Sequence, residues 1–440
     1  MKFQKFRLII LLALLGSFSP PLLFHDSLLL PASASLDQTS QSRKAQADQL
    51  VVQGLKQLKL RQFQEALQSW QKAVTIYRAI GDRLSEAASL NSLGIAYANL
   101  GDYPKAIENH QQSLAIKREI GDRKGEASSL NNLGIVYRTL KKYPKAIENF
   151  QQSLAIAREI EYRQGEVNSL GNLGFVYENL MDYQKAIDLY QQSLAIKREI
   201  GDRKGEASSL NNLGIAYYFQ GNYLKAIENH QQSLTIYREI GDRTREANSI
   251  NRLGIAYANL GDYPKAIENL QQSLTIYREI GYRSGEANSL KNLGLAYENL
   301  GDYRKAIDLY QQSLPINQEI GDRQSEANSL ANLGIAYINL GDYSKAMDFF
   351  EQSFTIAQQI RKARSLKNFG ILYRNKKDYR KAIENFQQSL AIYQEIGDRR
   401  GQVNSLKNLA ITYSALGDYS KANDFQQQSL AIKREIDLSR

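Results

Sequence analysis

The chain has 440 residues, a formal net charge of +10, 23% charged residues and no cysteine. Without cysteine it holds no disulfide, thiolate metal site or thiol nucleophile. The first 34 residues contribute +2 of the charge. The remaining +8 is spread through segments such as "KREIGDRKGE", where acids adjoin bases, so a nucleic-acid or anionic-lipid patch is not expected.

The N-terminus reads as a signal peptide over residues 1–34. "MKFQKFR" is a basic start and "LIILLALLGSF" an apolar core, ended by Pro20 and Pro21. That core is shorter than the roughly 20 residues that span a bilayer. Ala32-Ser33-Ala34 forms an A-x-A pattern, which predicts cleavage between Ala34 and Ser35. Export to the periplasm or an equivalent space outside the cytoplasm follows, with no membrane span left after cleavage. Residues 35–44 are expected to be a short polar linker.

From residue 45 to 436 one unit is written repeatedly. Residues 111–135 and 191–215 are the same twenty-five letters, "QQSLAIKREIGDRKGEASSLNNLGI". The glycine of "LG" recurs every forty residues at Gly54, Gly94, Gly134, Gly174, Gly214, Gly254, Gly294 and Gly334. Gly370 follows after 36 and Ala410 after forty more, which makes ten units. In each unit "EASSLNNLGIVYRTL" (126–140) carries Leu130, Leu133, Gly134, Tyr137 and Leu140 on one helical stripe. A second helix, "PKAIENFQQSLAIAREI" (144–160), carries Ala146, Ile147, Phe150, Leu154 and Ile156. Gly101- and Gly121-type residues end these helices, and Asp122 is placed to cap the next. Neither helix can bury its stripe alone, whereas stacked hairpins can, which predicts an all-α solenoid.

Leu130-x2-Leu133-Gly134-x2-Tyr137 followed by Ala146-x3-Phe150 resembles the tetratricopeptide repeat (TPR) pattern. The closing Pro is missing, with Arg at Arg118, Arg158 and Arg198, and the period is 40 rather than 34. This longer form is similar to the repeats of kinesin light chains, Pins-type adaptors and bacterial arrays that precede CHAT protease domains. The resemblance implies a right-handed superhelix of about ten hairpins whose first helices line a concave, peptide-binding face. Gln53 and Gln57 in the first unit, and Asn423 and Gln426 in the last, replace apolar residues. They are expected to give the array polar outer faces and to mark it as complete. The four residues missing between Ile360 and Leu366, with Pro315 inside a helix, suggest a joint after the seventh unit.

Chemistry is sparse. His110 and His230 occupy the place of Phe150 and Tyr190, three units apart, so no metal site is expected. Glu126, Glu166, Glu206 and Glu246 recur with the period, as salt-bridging residues do. No nucleophile elbow, phosphate loop or H-E-x-x-H is present. Neither catalysis nor a cofactor is expected.

What remains is a surface for a protein or peptide partner. Two residues before the glycine stand Asn132, Asn172, Asn212, Asn292, Asn332, Asn368 and Asn408, interrupted by Ser92 and Arg252. One turn earlier stand Asn168, Asn248, Asn288, Asn328 and Asn404. An amide offers both a donor and an acceptor, so such rows can pair with an extended backbone or with their own hairpins. Ile135-type residues after the glycine place an apolar strip beside them, and Lys291, Lys367 and Lys407 add positive charge. The expected role is a scaffold binding an extended segment of another envelope protein. A recruitment subunit of an envelope enzyme and a passive spacer are the alternatives.

Overall fold

The computed structural model describes residues 32–60 and 62–438, so the expected signal segment lies outside the described residues up to position 31. The described chain forms nineteen helices and no strand. They begin α1 (Ala32–Lys59), α2 (Phe63–Ile80), α3 (Arg83–Leu100), α4 (Tyr103–Glu119) and α5 (Arg123–Thr139). Next come α6 (Tyr143–Glu159), α7 (Arg163–Asn179), α8 (Tyr183–Glu199), α9 (Arg203–Phe219) and α10 (Tyr223–Glu239). They continue as α11 (Arg243–Leu260), α12 (Tyr263–Glu279), α13 (Arg283–Asn299), α14 (Tyr303–Glu319) and α15 (Arg323–Asn339). Last are α16 (Tyr343–Asn375), α17 (Tyr379–Glu395), α18 (Arg399–Leu416) and α19 (Tyr419–Leu438). Odd-numbered helices up to α15 are first helices of units. Residues 35–44 are helical within α1 rather than a linker, and Ala34 and Ser35 fall in its first turn. That stretch holds neither Gly nor Pro, so nothing in it ends a helix.

Each helix packs on the next along the chain. Among non-consecutive helices, direct packing joins first helices of successive units: α3 with α5, α5 with α7, α11 with α13, and α16 with α18. First helices therefore lie on the inside of the curve.

Within a hairpin, the glycine is the crossing point. A Cβ on Gly134 would fall 2.5 Å from Phe150, and one on Gly174 would fall 2.5 Å from Tyr190. Gly94 and Gly214 meet His110 and His230 in the same way, each ring being at most 2% exposed. In the tenth unit Ala410 replaces the glycine and Gln426, sixteen residues on, replaces the ring. Gln426 is buried rather than turned outward as expected, because the Ala410 methyl occupies the space a ring would need. Asn423 and Gln53 are exposed.

Successive hairpins are joined by repeated polar contacts. Ser113 donates to the Ala87 carbonyl at 2.7 Å and meets Ser129 at 3.2 Å, and Ser153–Ser169, Ser273–Ser289 and Ser389–Ser405 repeat the contact. Glu126 is buried and accepts from Arg118 Nε at 2.8 Å and Arg123 Nη1 at 2.6 Å. Arg123 also reaches Glu159 of the next turn. The periodic glutamates are thus ion-paired struts.

The turns are capped by aspartate. Asp202 Oδ1 accepts from the Gly205 N–H at 2.8 Å, and Asp122 does the same for Gly125. Asp202→Ala is expected to cost about 1 kcal/mol in urea unfolding and Asp202→Ser much less, since Ser also caps.

The irregularity at 360–366 has a definite form. Ile320-Gly321-Asp322 is a turn, but Ile360-Arg361-Lys362 has neither the glycine nor the capping aspartate. The second helix of unit eight therefore runs on into the first helix of unit nine as the 33-residue α16. The flanking turns close up across the gap. Arg399 N–H donates to the Gly321 carbonyl at 3.3 Å, and Arg400 pairs with Asp322 at 2.9 Å. Pro315 lies inside α14, which continues to Glu319. Its exposed position leaves the freed carbonyl to water.

Candidate interaction face

The inner face is built from five places on each first helix: six, three and two residues before the glycine, and one and four after it. Between α5, α7 and α9 these places surround an open depression of about 700 Å³ lined by Ile135, Arg138, Asn168, Asn172, Phe175 and Asn212.

The expected amide row divides in two. Asn132 Nδ2 donates to Asn91 Oδ1 at 3.0 Å, Asn172 to Asn131 at 3.0 Å, and Asn292 to Asn251 at 3.2 Å. These amides tie each unit to the one before it. The acceptor stands three residues before the preceding glycine, and where that place holds Gly171, Lys291 or Ala331 the ladder breaks. Among the described residues, Asn212, Asn332 and Asn368 accordingly make no side-chain hydrogen bond. Asn408 accepts from Arg374 at 3.0 Å and donates to the Asn404 carbonyl at 2.8 Å.

In the earlier row, Asn248 accepts from Tyr277 Oη at 2.8 Å and Asn168 from Gln164 at 3.1 Å. Asn288 donates to the Ser284 carbonyl at 2.9 Å, and Asn328 accepts from Gln324 at 3.4 Å. Asn168, Asn288, Asn328 and Asn404 are exposed, so these local bonds leave capacity for a ligand. The Asn99, Asn179, Asn259 and Asn299 side chains donate to carbonyls four residues back within their own helices.

Beside the amides runs the apolar strip. Phe175, Leu295 and Ile335 are exposed, while Ile135, Ile215 and Ile255 are half-buried. Cations complete the face. Burial lowers the pKa of Arg138, Arg252, Lys291, Lys367 and Arg374, and none of the five forms an ion pair among the described residues. Arg138 donates to Asn172 at 2.6 Å and stacks 4.9 Å over the Phe175 ring. The opposing carboxylates Glu178 and Glu298 accept from Tyr190 Oη at 3.0 Å and Tyr310 Oη at 2.7 Å. Burial raises the pKa of Glu178. Arg138 and Arg374, both four residues after the glycine, were not among the expected site residues; their shared register is the signal that could have found them.

Tyr137-type rings are roofed by lysines, as Lys145 over Tyr137 at 5.5 Å and Lys185 over Tyr177 at 5.1 Å. Among the described residues no cluster of His, Asp and Glu is placed to hold a metal ion.

The tetratricopeptide repeat family matches residues 57–119, 86–159, 165–239, 245–319, 285–359 and 361–435. The chain belongs to the tetratricopeptide repeat family. No curated protein matches this TPR chain. Among solved structures, the apo form of RapI is 18% identical, over 63% of this chain and 99% of its own, with a TM-score of 0.50. Aspartyl phosphate phosphatase F from Bacillus subtilis is 16% identical, over 65% of this chain and 74% of its own, with a TM-score of 0.50. BtubC (BKLC) from P. vanneervenii is 22% identical, over 49% of this chain and 91% of its own, with a TM-score of 0.45. At these identities the likeness is one of fold.

Proposed function

We propose that this TPR protein is an exported scaffold that holds an extended segment of a partner protein along its first-helix face. The observation that carries the reading is the coincidence of unpaired amides with exposed apolar side chains and cations that have no ion pair. Asn212, Asn332 and Asn368 are free to bond a peptide backbone. Phe175, Leu295 and Ile335 stand in register beside them, and the unpaired cations favour a segment carrying Asp or Glu. Export rests on the basic start, apolar core and A-x-A pattern of residues 1–34. Among the described residues no helix is long and apolar enough to cross a membrane.

Two baits test this in envelope extract: residues 35–440, and the same protein with Asn212, Asn332 and Asn368 changed to Ala. These three amides make no internal bond, so the substitutions leave the packing intact, as circular dichroism checks. A protein retained by the first bait and lost from the second is the expected outcome. Equal retention on both would move binding to another surface, and no retention on either would favour a spacer.

A further inference from the structure

In most hairpins the last apolar residue of the first helix is exposed, and unit two departs from this. Leu100, the last residue of α3, is 6% exposed, whereas its equivalents Leu180, Leu260, Leu300 and Leu340 are 43–52% exposed. Nothing within unit two explains the difference, since the sequence around Leu100 and Leu260 is the same "GIAYANLGDYPKAIEN". The cover comes from the far end of the array. A Cβ on Gly101 would fall 2.7 Å from Ile411 Cδ1, while the matching Gly221, Gly261, Gly301 and Gly341 have open space around them. Gln68 and Gln71 of α2, with Tyr97 of α3, share a cavity of about 570 Å³ with Ser414 of α18 and with Tyr419 and Asn423 of α19. Asp102 and Lys105 line the same cavity.

We propose that the edge of unit two is an interaction surface whose partner is the chain's own last units, so that the array closes one superhelical turn upon itself. The apolar part of the seam is Leu100, Gly101 and Ile411, and the polar part is the cavity lined by Gln71 and Tyr97 on one side and by Ser414 and Tyr419 on the other. The loss of the turn at 360–366 contributes to the meeting, because it brings the Gly321 and Gly397 turns together and tightens the curve at units eight and nine. The seam takes up Ile411, an inner-face place of the last unit, and does not depend on what the rest of that face binds. It does fix the path of any partner, which must enter along the superhelix axis or after the seam opens.

The chain has no cysteine, so a pair can be introduced without background. Gln68 and Asn423 are both exposed and line the same cavity. Full-length Gln68→Cys/Asn423→Cys, treated with a short bis-maleimide at low protein concentration, is expected to crosslink within one chain. Gln68→Cys/Gln232→Cys, whose second site lies in unit five, is expected not to. Adding Leu100→Glu to the reactive pair is expected to reduce the crosslink at least several-fold and to enlarge the radius of gyration in small-angle scattering. Leu260→Glu, at the exposed equivalent, is expected to change neither, which separates an opened seam from a damaged unit. No crosslink would overturn the proposal. So would crosslinks only between two chains, which would make the surface a contact between copies, or equal yields with Leu100→Glu and Leu260→Glu.

Discussion

Gly174→Ala is expected to lower stability by up to about 2 kcal/mol, overpacking less the propensity gain, whereas Gly171→Ala, three residues earlier in the same helix, is expected to raise it by about 0.8–1 kcal/mol. Both substitutions gain the same helix propensity. They differ in what the new methyl meets. Around Gly171 there is nothing within 4 Å, so the propensity gain stands alone. At Gly174 the methyl would lie 2.5 Å from Tyr190 Cε1 and 2.8 Å from its Cδ1. The ring is held in place, because Tyr190 is buried and its hydroxyl is bonded to Glu178. Overpacking of about 1–3 kcal/mol or more outweighs a propensity gain of about 1 kcal/mol. The tenth unit shows the natural compensation, Ala410 with Gln426. Gly174→Ala is therefore expected to cost less in a Tyr190→Gln background than alone, a coupling that a double-mutant cycle reads directly. Urea unfolding followed by circular dichroism measures all four proteins.

Acidification from pH 7 to pH 5 is expected to destabilise the fold through two histidines. Burial pushes the His110 imidazole down to about 4 and His230 down to about 3, with Lys117 and Arg252 as lesser contributors. An unfolded histidine takes up its proton near 6.5. Between that value and the folded ones, the unfolded chain binds more protons than the native one. Stability is thus intact above pH 6.5 and is lost as pH falls towards 4. At pH 5 each ring accounts for about 2 kcal/mol of the loss. Carboxylates whose pKa is lowered by pairing, such as Glu206, add their own loss only below their ordinary value of 4.5, while Glu178 and Asp398, whose pKa burial raises, oppose the histidine loss. His110→Phe/His230→Phe restores the ring that Phe150 and Phe386 supply in other units. The double variant is expected to flatten the dependence of the urea midpoint on pH from pH 7 to pH 5. An unchanged slope would show that these rings are not the groups titrating.

The hairpins were legible in the sequence because their physics is local. The glycine ladder, the ring sixteen residues on, and the Gly-Asp turn at the start of first helices each specify their own hairpin. The amide ladder was half legible. Its residue types are in plain view, but the bond from Asn132 to Asn91 spans 41 positions, one more than the period, so a search in phase with the repeat passes over it. That offset decides which amides are free, and it depends on the residue three before the previous glycine. Gln426 was read from composition as an outward polar residue, when it compensates for the methyl of Ala410. The continuity of α16 could have been inferred from the absent glycine and aspartate. The seam could not, because it depends on curvature accumulated over the whole array.

The central claim, that the first-helix face receives an extended partner segment, is tested most directly by hydrogen exchange on residues 35–440 with and without the captured partner. Slower exchange confined to α7, α9, α13, α15 and the second half of α16, with α8, α10, α12 and α14 unchanged, is the predicted result. Slower exchange confined to those second helices, or no difference under saturating partner, would contradict it.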